Sequence, residues 1–586
     1  MQATVRNLRT PDDLADFMRW LGESRSALAV DLETSGFDWY GADRIRTAQF
    51  GDHATGWVLT YDDWRGVVRH VMATYEGPLV GHNIGFDLHF LCADLGLSHD
   101  DLPWHRIHDT MLMAQMVDPT RPKGLKPLSA RFISPEAVAG QSRLDEDMRR
   151  GGWNWATVPV ELPSYRFYAG LDTILTTNLY DLFSAHIDRT GSRRAYELEQ
   201  VAQHPLFAME CHGMRVDTDY VATTKDALRH GADRLLAQAR AEYGLESLMA
   251  NAKIMERLRA DGWTPKHFTE KGNPQLTADI LAGIDHPLAQ IVTKYRLANK
   301  FVSTWLDAFA DRADADGIVY PSIHQVAART GRMSVTNPPL QTLPREREDM
   351  PSIRDSFVPR EGMSLISADF AQVEARVFAH HAAEEGMLRT IAEGGDLHRF
   401  AAAQAYGISE DEVTKAQRQI AKSVTFAKLY GAGPAKIAET AGISEPEARD
   451  FVARYDSAFP GVKRFQRRII ERAEEARRGG ERAEVRTYLG SYLAVGDDEP
   501  VYRLCNYKVQ GDCALVLKDR IVSLHNAGLT DHMILPIHDE VLFEVADEDA
   551  EELRRAVAEA MPDNTTFAVP LAVEVSPPAD RWGQAK

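Results

Sequence analysis

Three short stretches constrain this 586-residue chain more than any other feature. In the first, the apolar run Met363-Ser-Leu-Ile-Ser-Ala368 drives a strand into Asp369, and a helical pattern carrying Gln372, Glu374 and Arg376 follows. In the second, Arg418, Lys422, Phe426 and Tyr430 recur every fourth residue, so they share one slanted helix face. In the third, His538-Asp-Glu540 stands between the apolar runs Ile534–Ile537 and Val541–Val545, a hairpin pattern that presents Asp539 at a tight bend. Carboxylates of this kind hold metal ions, a cationic helix face holds a triphosphate, and aromatics stack on a base. A strand, a helix and a hairpin in that order call for an architecture with both sheet and helix.

Composition narrows the class. Apolar content of 44% and charged content of 26% belong to an ordinary globular protein with enough core for two to four domains. No apolar run approaches the roughly 18 residues a membrane span needs. The start, Met1-Gln-Ala-Thr-Val-Arg-Asn-Leu-Arg9, lacks the apolar core of a signal peptide. Cys92, Cys211, Cys505 and Cys513 have no paired metal-ligand spacing and read as free thiols in a reducing cytoplasm. The net charge of −19 argues against a non-specific DNA coat, but DNA meets a local surface and not the sum. Basic residues do gather at Arg329, Arg332, Arg345, Arg347, Arg354 and Arg360.

Along the chain, residues to about 187 alternate strand-like and helical runs, and the polar stretch Asp188–Arg194 reads as a turn-rich junction. A mostly helical region runs from about 195 to 310, interrupted at Thr269–Pro274. Strand signals return at Gly317–Tyr320 and Leu365–Ala368, a helix-rich block covers about 371 to 480, and strand-like runs close the chain at 534 to 545.

A second chemical site lies near the start. Ser26-Ala-Leu-Ala-Val-Asp-Leu-Glu33 is a buried-strand pattern in which Asp31 and Glu33 share a face. A further apolar strand leads through Asn83 to Asp87, and a helical stretch carries Tyr168 and Asp172 four residues apart. Four converging carboxylates repel one another unless cations neutralise them, and hard oxygen donors suit Mg²⁺ or Mn²⁺. Two such ions activate water and stabilise the leaving oxygen of a phosphodiester, with Tyr168 orienting the attacking water.

Taken in order, the three later stretches resemble motifs A, B and C of the family A DNA polymerases, the relatives of bacterial DNA polymerase I. The N-terminal acids resemble the three Exo motifs of the 3′→5′ proofreading exonucleases. The resemblance runs from about residue 20 to Lys586 and includes the closing Arg581-Trp-Gly-Gln-Ala585. It implies an α/β plus α+β multidomain chain. A ribonuclease H-like exonuclease domain would occupy 1–190 and a right-hand polymerase domain 191–586. The thumb would lie at about 221–310, the palm at about 195–220, 311–375 and 500–586, and the fingers at about 376–499.

The resemblance also implies roles. Asp369 and Asp539 would share two Mg²⁺ ions, with the Phe370 carbonyl as a further ligand, Glu540 supporting from beside the ions and His538 meeting the primer. Asp31, Glu33, Asp87 and Asp172 would hold two more in the exonuclease site, Mn²⁺ being a substitute at either, with Asn83 near the primer end. Lys422 would protonate the leaving pyrophosphate and Arg418 hold the triphosphate, with Phe426, Tyr430, His398, Gln372 and Glu374 completing the nucleotide site. Glu374 stands where the family blocks a ribose 2′-hydroxyl, and Phe426 implies discrimination against dideoxynucleotides. Arg332, Gln341, Asn506 and Gln510 match residues along the primer-template.

Three departures are visible: Phe370-Ala371 in place of Tyr-Ser, Pro339 in place of Asn, and Tyr502 in place of Arg, with Arg503 adjacent as its substitute. Only some 30 residues precede Asp31, so no 5′-nuclease domain is expected, and the thumb leaves no room for a large processivity insertion. The expectation is a monomeric bacteriophage replicative polymerase acting on primer-template DNA and dNTPs in the host bacterial cytoplasm, off any membrane, alongside separate accessory proteins. The competing reading is a DNA-binding 3′→5′ exonuclease with a non-synthetic C-terminal half. A binding module has no need of Asp369, Asp539, Lys422 and Arg418.

Overall fold

The computed structural model describes residues 3–586 apart from 270, 345, 346, 348 and 349, so Arg345 and Glu270 lie outside the described residues. The N-terminal strands are too apolar to face water on either side, and the fold covers them. Six strands form one mixed sheet in the spatial order Thr4–Leu8, Thr55–Thr60, Ile45–Gly51, Leu28–Thr34, Leu79–Gly81, Ile107–Asp109. Leu28–Thr34 runs antiparallel to Ile45–Gly51 and parallel to Leu79–Gly81. Phe17, Trp20, Phe50 and Trp57 pack together on one side of the sheet.

The helix Pro163–Thr190 lies against this sheet closely enough to dictate side-chain size. A Cβ on Gly56 would fall 2.1 Å from the Gly170 carbonyl oxygen, so only glycine allows the approach. That closeness brings Tyr168 and Asp172 over the strand carrying Asp31 and Glu33. The helix also runs through Asp188, Arg189 and Thr190, where the sequence reads as turn. Polar residues sit comfortably at an exposed helix end, and the break comes only at Gly191, whose φ of 73° leaves the helical region. The next helix, Arg193–His212, starts at once.

The rest of the chain is a right hand. Its palm sheet is antiparallel throughout, in the order Met533–Ile537, Glu540–Ala546, Met363–Phe370, Val573–Val575. The helices Thr218–Tyr243 and Pro287–Phe301 pack together, beside a core around Leu248, Ile254, Leu258, Leu288 and Val292. Seven helices between Val373 and Arg478 pack over an extended core that includes Phe378, Phe400, Tyr455 and Phe465.

Helix Arg193–His212 ties these parts together through a fully buried ion pair. Lys518 Nζ lies 2.5 Å from Glu199 Oε1 and also donates to the Gly331 carbonyl at 2.8 Å. Gln325 Nε2 donates to the other Glu199 oxygen at 2.6 Å, so both carboxylate oxygens are satisfied.

Candidate active sites

In the N-terminal site, Asp31, Glu33 and Asp172 each bring a carboxylate oxygen within 4.8 Å of the others. Asp87, in the first turn of helix Ile84–Leu95, reaches back to accept the Leu32 amide at 2.8 Å. Burial pushes Asp31 up to about 7, against the pull of Lys126. Glu33 and Asp87 also stand well above their ordinary range, through burial first and then the charge of Asp31. Asn83 sits in the left-handed region at φ 64°. The buried Asp109 accepts the amides of Asn83 at 3.0 Å, Ile84 at 3.1 Å and Met111 at 2.7 Å, holding two helix starts at once. Sequence reasoning passed over Asp109, although an acid ending the apolar strand Ile107–Asp109 directly before a helix was a capping signal.

Lys126 was missed outright. Its ammonium meets the Asp172 carboxylate and lies 4.2 Å from the centre of the Tyr168 ring. Burial lowers it to about 8, with Asp31 and Glu33 opposing. It is an internal cation standing where four acids need one. A cation bound among these acids would meet Lys126 as a like charge, costing on the order of 1–4 kcal/mol before screening, so we expect Lys126→Ala to lower the Mg²⁺ concentration at half-maximal 3′ shortening roughly tenfold. A Mg²⁺ titration of degradation checks this, and an unchanged midpoint would reduce Lys126 to an ion-pair partner of Asp172.

The raised carboxylates also set a pH dependence. Asp31 has an ordinary value of 3.8 and a folded value of about 7, so between these the metal-free native state holds a proton the unfolded chain has lost. Native stability therefore falls as pH rises through that window. A bound cation removes the penalty. The Tm gain from Mg²⁺ should thus be larger at pH 8 than at pH 5, read by differential scanning fluorimetry. A gain independent of pH would contradict the assignment.

In the palm, Asp369 pairs in register with Glu540 on one side and Glu574 on the other. Ile537 pairs with Glu540, so His538 and Asp539 alone make the hairpin turn, with His538 at φ 54°. The Phe370 amide donates to the Asp539 carbonyl at 3.2 Å, bringing the two motifs together. Asp369 is pushed up to about 7 by burial and then by Asp539, Glu540 and Glu574, and burial also raises Asp539. Glu540 is held from three directions: Ser367 Oγ donates to it at 2.7 Å, Trp582 Nε1 at 3.3 Å, and Arg354 Nη1 lies 3.5 Å away. Arg354 in turn lies over the Trp582 ring at 4.6 Å. Trp582, near the end of the chain, thus reaches an acid of the central hairpin, a contact its sequence position does not suggest.

The motif B helix spans Lys415–Leu429, starts with the Thr414–Gln417 capping box, and stops before Gly431 at φ 67°. Tyr430 is its C-cap and not part of the helical stripe. Arg418 Nε donates to Asp396 Oδ2 at 2.5 Å, and Asp396 Oδ1 caps the helix carrying His398. His398 is buried 5.7 Å from the Phe426 ring centre. Burial, then the charge of Lys422, lowers it to about 4. Its Nδ1 has no partner among the described residues.

Arg332 pairs with Glu374, and Gln341, which follows Pro339 in a short 3-10 turn, donates to the Pro536 carbonyl at 3.4 Å. Arg332, Gln341, His538 and Asp539 line one small pocket. Gln372 is the left-handed N-cap of helix Val373–Ala382. Gln510 donates to the Tyr430 hydroxyl at 3.4 Å. Asn506 is buried, with Oδ1 unpaired among the described residues. Arg503 leans on Glu499 at 3.1 Å. Tyr502 lies so close to Gly431 that a Cβ there would meet its ring at 2.7 Å.

A palm sheet that converges two acids, a helix with a cationic face, and an α/β unit with four acids together define a nucleotide-polymerising enzyme with its own nuclease site. Comparison with known proteins gives the family. The family described as DNA polymerase family A matches residues 218–584, and the one described as 3′-5′ exonuclease matches residues 5–188. The chain belongs to the family A DNA polymerases and carries a 3′-5′ exonuclease domain. It is 31% identical to the DNA polymerase of Mycobacterium phage D29, over 95% of this chain and 94% of that one. It is 29% identical to the DNA polymerase of Mycobacterium phage L5, over 95% and 92%. In fold it matches the POL domain of Pol1 from M. smegmatis, a structure in complex with DNA primer-template and dNTP. The TM-score is 0.80 at 23% identity, covering 99% of this chain and 100% of that chain. Among the described residues, no helix is long and apolar enough to cross a membrane.

Proposed function

We propose that the palm site adds dNTPs to a primer 3′-hydroxyl on a DNA template, and that the N-terminal site removes mispaired 3′ nucleotides, in the replication of a bacteriophage genome. The observation that carries this reading is the meeting of Asp369 and Asp539 at the ends of adjoining strands, joined by the Phe370–Asp539 backbone bond at 3.2 Å. The two mycobacteriophage polymerases of matching length support the phage setting.

Enzymes of this family use divalent metal ions, and carboxylates raised by burial and mutual repulsion are a fitting donor set. Mg²⁺, or Mn²⁺ in its place, would be held by Asp369, Asp539 and the Phe370 carbonyl in the palm, and by Asp31, Glu33, Asp87 and Asp172 in the exonuclease site. Bound there, such ions supply the lowered pKa of the attacking oxygen and the neutralising charge at the leaving one.

The chain's own residues do the rest. Arg418, steadied by Asp396, grips the triphosphate, with His398 beside it. Lys422 delivers a proton to the leaving pyrophosphate. Phe426, Tyr430 and Gln372 surround the base and sugar, and Glu374, braced by Arg332, fills the space a ribose 2′-hydroxyl would need. Glu540 stiffens the palm from behind Asp369. Arg332, Gln341, Arg503, Asn506, Gln510 and His538 follow the primer-template, and Asn83 and Tyr168 position the frayed 3′ end and the attacking water. The protein acts as a monomer, with separate replication proteins as partners.

The test is a labelled, recessed primer-template in Mg²⁺, resolved on a denaturing gel with and without dNTPs. Growth with dNTPs and 3′ shortening without them is the expected result. Shortening alone in both lanes would refute synthesis and favour a nuclease whose C-terminal half only binds DNA.

A further inference from the structure

Away from both catalytic sites, imidazoles and carboxylates converge where the N-terminal unit, helix Arg193–His212 and the palm meet. His99 and Asp100 stand on the short 3-10 turn His99–Asp101, and His204 faces them from the helix. His99 Nδ1 lies 3.1 Å from His204 Nε2 and 3.4 Å from Asp100 Oδ1, and His204 Nε2 lies 3.2 Å from that same oxygen. Three donor atoms thus form a nearly equilateral triangle. A tetrahedral ion with bonds of about 2.0–2.1 Å places its ligands about 3.3 Å apart, so the triangle has the dimensions of one face of such a site.

The surroundings prepare the donors. Asp531 Oδ1, from the short turn Thr530–His532 before the palm strand, lies 3.2 Å from His99 Nε2. That carboxylate favours the proton on Nε2 and so frees Nδ1 for the triangle, as an outer carboxylate does for a metal-binding histidine. Trp104 stacks on the His204 ring at 5.2 Å and 13°, which fixes its plane. His525 meets the His204 ring edge-on at 4.7 Å. Asp100 is 69% exposed, so an ion has a path in and a fourth position opens to water.

We propose that His99, Asp100 and His204 form a site for a transition-metal ion of the Zn²⁺ class, with Asp531 orienting His99. Two imidazoles and one carboxylate select such an ion over Mg²⁺, which prefers oxygen. The ligands come from the N-terminal unit and the connecting helix, and the orienting acid from the palm. An ion bound there pins the exonuclease domain to the palm. It takes no part in either reaction, since neither catalytic acid set reaches it.

The test is a titration of the whole protein with Co²⁺ in millimolar Mg²⁺, which keeps the carboxylate clusters filled. Tetrahedral nitrogen-bound Co²⁺ has strong visible bands that carboxylate-bound octahedral Co²⁺ lacks. One equivalent with such bands is expected. Asp100→Asn, an isosteric change at an exposed side chain, and His204→Gln should both abolish them, and Asp531→Asn should weaken binding by about 10- to 100-fold. Asp31→Asn should leave the bands intact. Absence of the bands in the native protein, or their survival in Asp100→Asn and His204→Gln, would overturn the site and leave a hydrogen-bonded histidine pair.

Discussion

Asp369→Asn should lower primer extension by on the order of 10³-fold or more while leaving 3′ shortening in place. Losing an ion-holding charge removes several kcal/mol of transition-state stabilisation, at ~1.4 kcal/mol per tenfold in rate. The substitution keeps the shape of a residue locked between two strands and facing Asp539, Glu540 and Glu574. It also removes one member of a repelling group. Since Asp369 stands at about 7 in the fold, ionising it above that pH costs stability, and the neutral amide avoids the cost. The metal-free variant should therefore melt at or above the native temperature at pH 8. Lost extension with an unchanged or raised Tm separates chemistry from folding. Retained extension would remove Asp369 from the catalytic set. A drop of several degrees in Tm would mean that the lost activity reports structure.

The second large effect falls on stability. Lys518→Met should cost about 3–5 kcal/mol, because it leaves Glu199 charged and buried with half its partners gone. Lys518 also holds the Gly331 carbonyl, next to Arg332, so extension should weaken as well. Replacing both partners, as in Lys518→Met with Glu199→Leu, removes the orphaned charge and should recover much of the loss. Urea unfolding followed by tryptophan fluorescence reads both variants. A single variant as stable as the native protein would show that the pair contributes little to the junction.

The candidate acids stood out in the sequence by local pattern: Asp31, Glu33 and Asp369 lie on apolar strands, Asp539 in a turn, and Asp87 and Asp172 on helices. Asp31 and Glu33 lie two residues apart on Leu28–Thr34, and Asp539 lies in a two-residue hairpin turn. The motif B helix was legible for the same reason, its capping box and terminal glycine being local signals. Within the stretch read as turn-rich, Asp188–Thr190 are helical because polar composition marks exposure as readily as it marks a turn, and the break comes at Gly191.

The identity and order of the acids, cations and aromatics, and hence the family, were determined by the sequence alone, since strand and helix periodicities are properties of neighbours. Their partners were decided only by the tertiary structure. Lys126 meets Asp172 across 46 residues, Arg332 meets Glu374 across 42, and Ser367 and Arg354 reach Glu540 across 173 and 186. Sequence spacing carries no record of such pairings. They arise because buried charges must find opposite charges or donors wherever the packed chain supplies them.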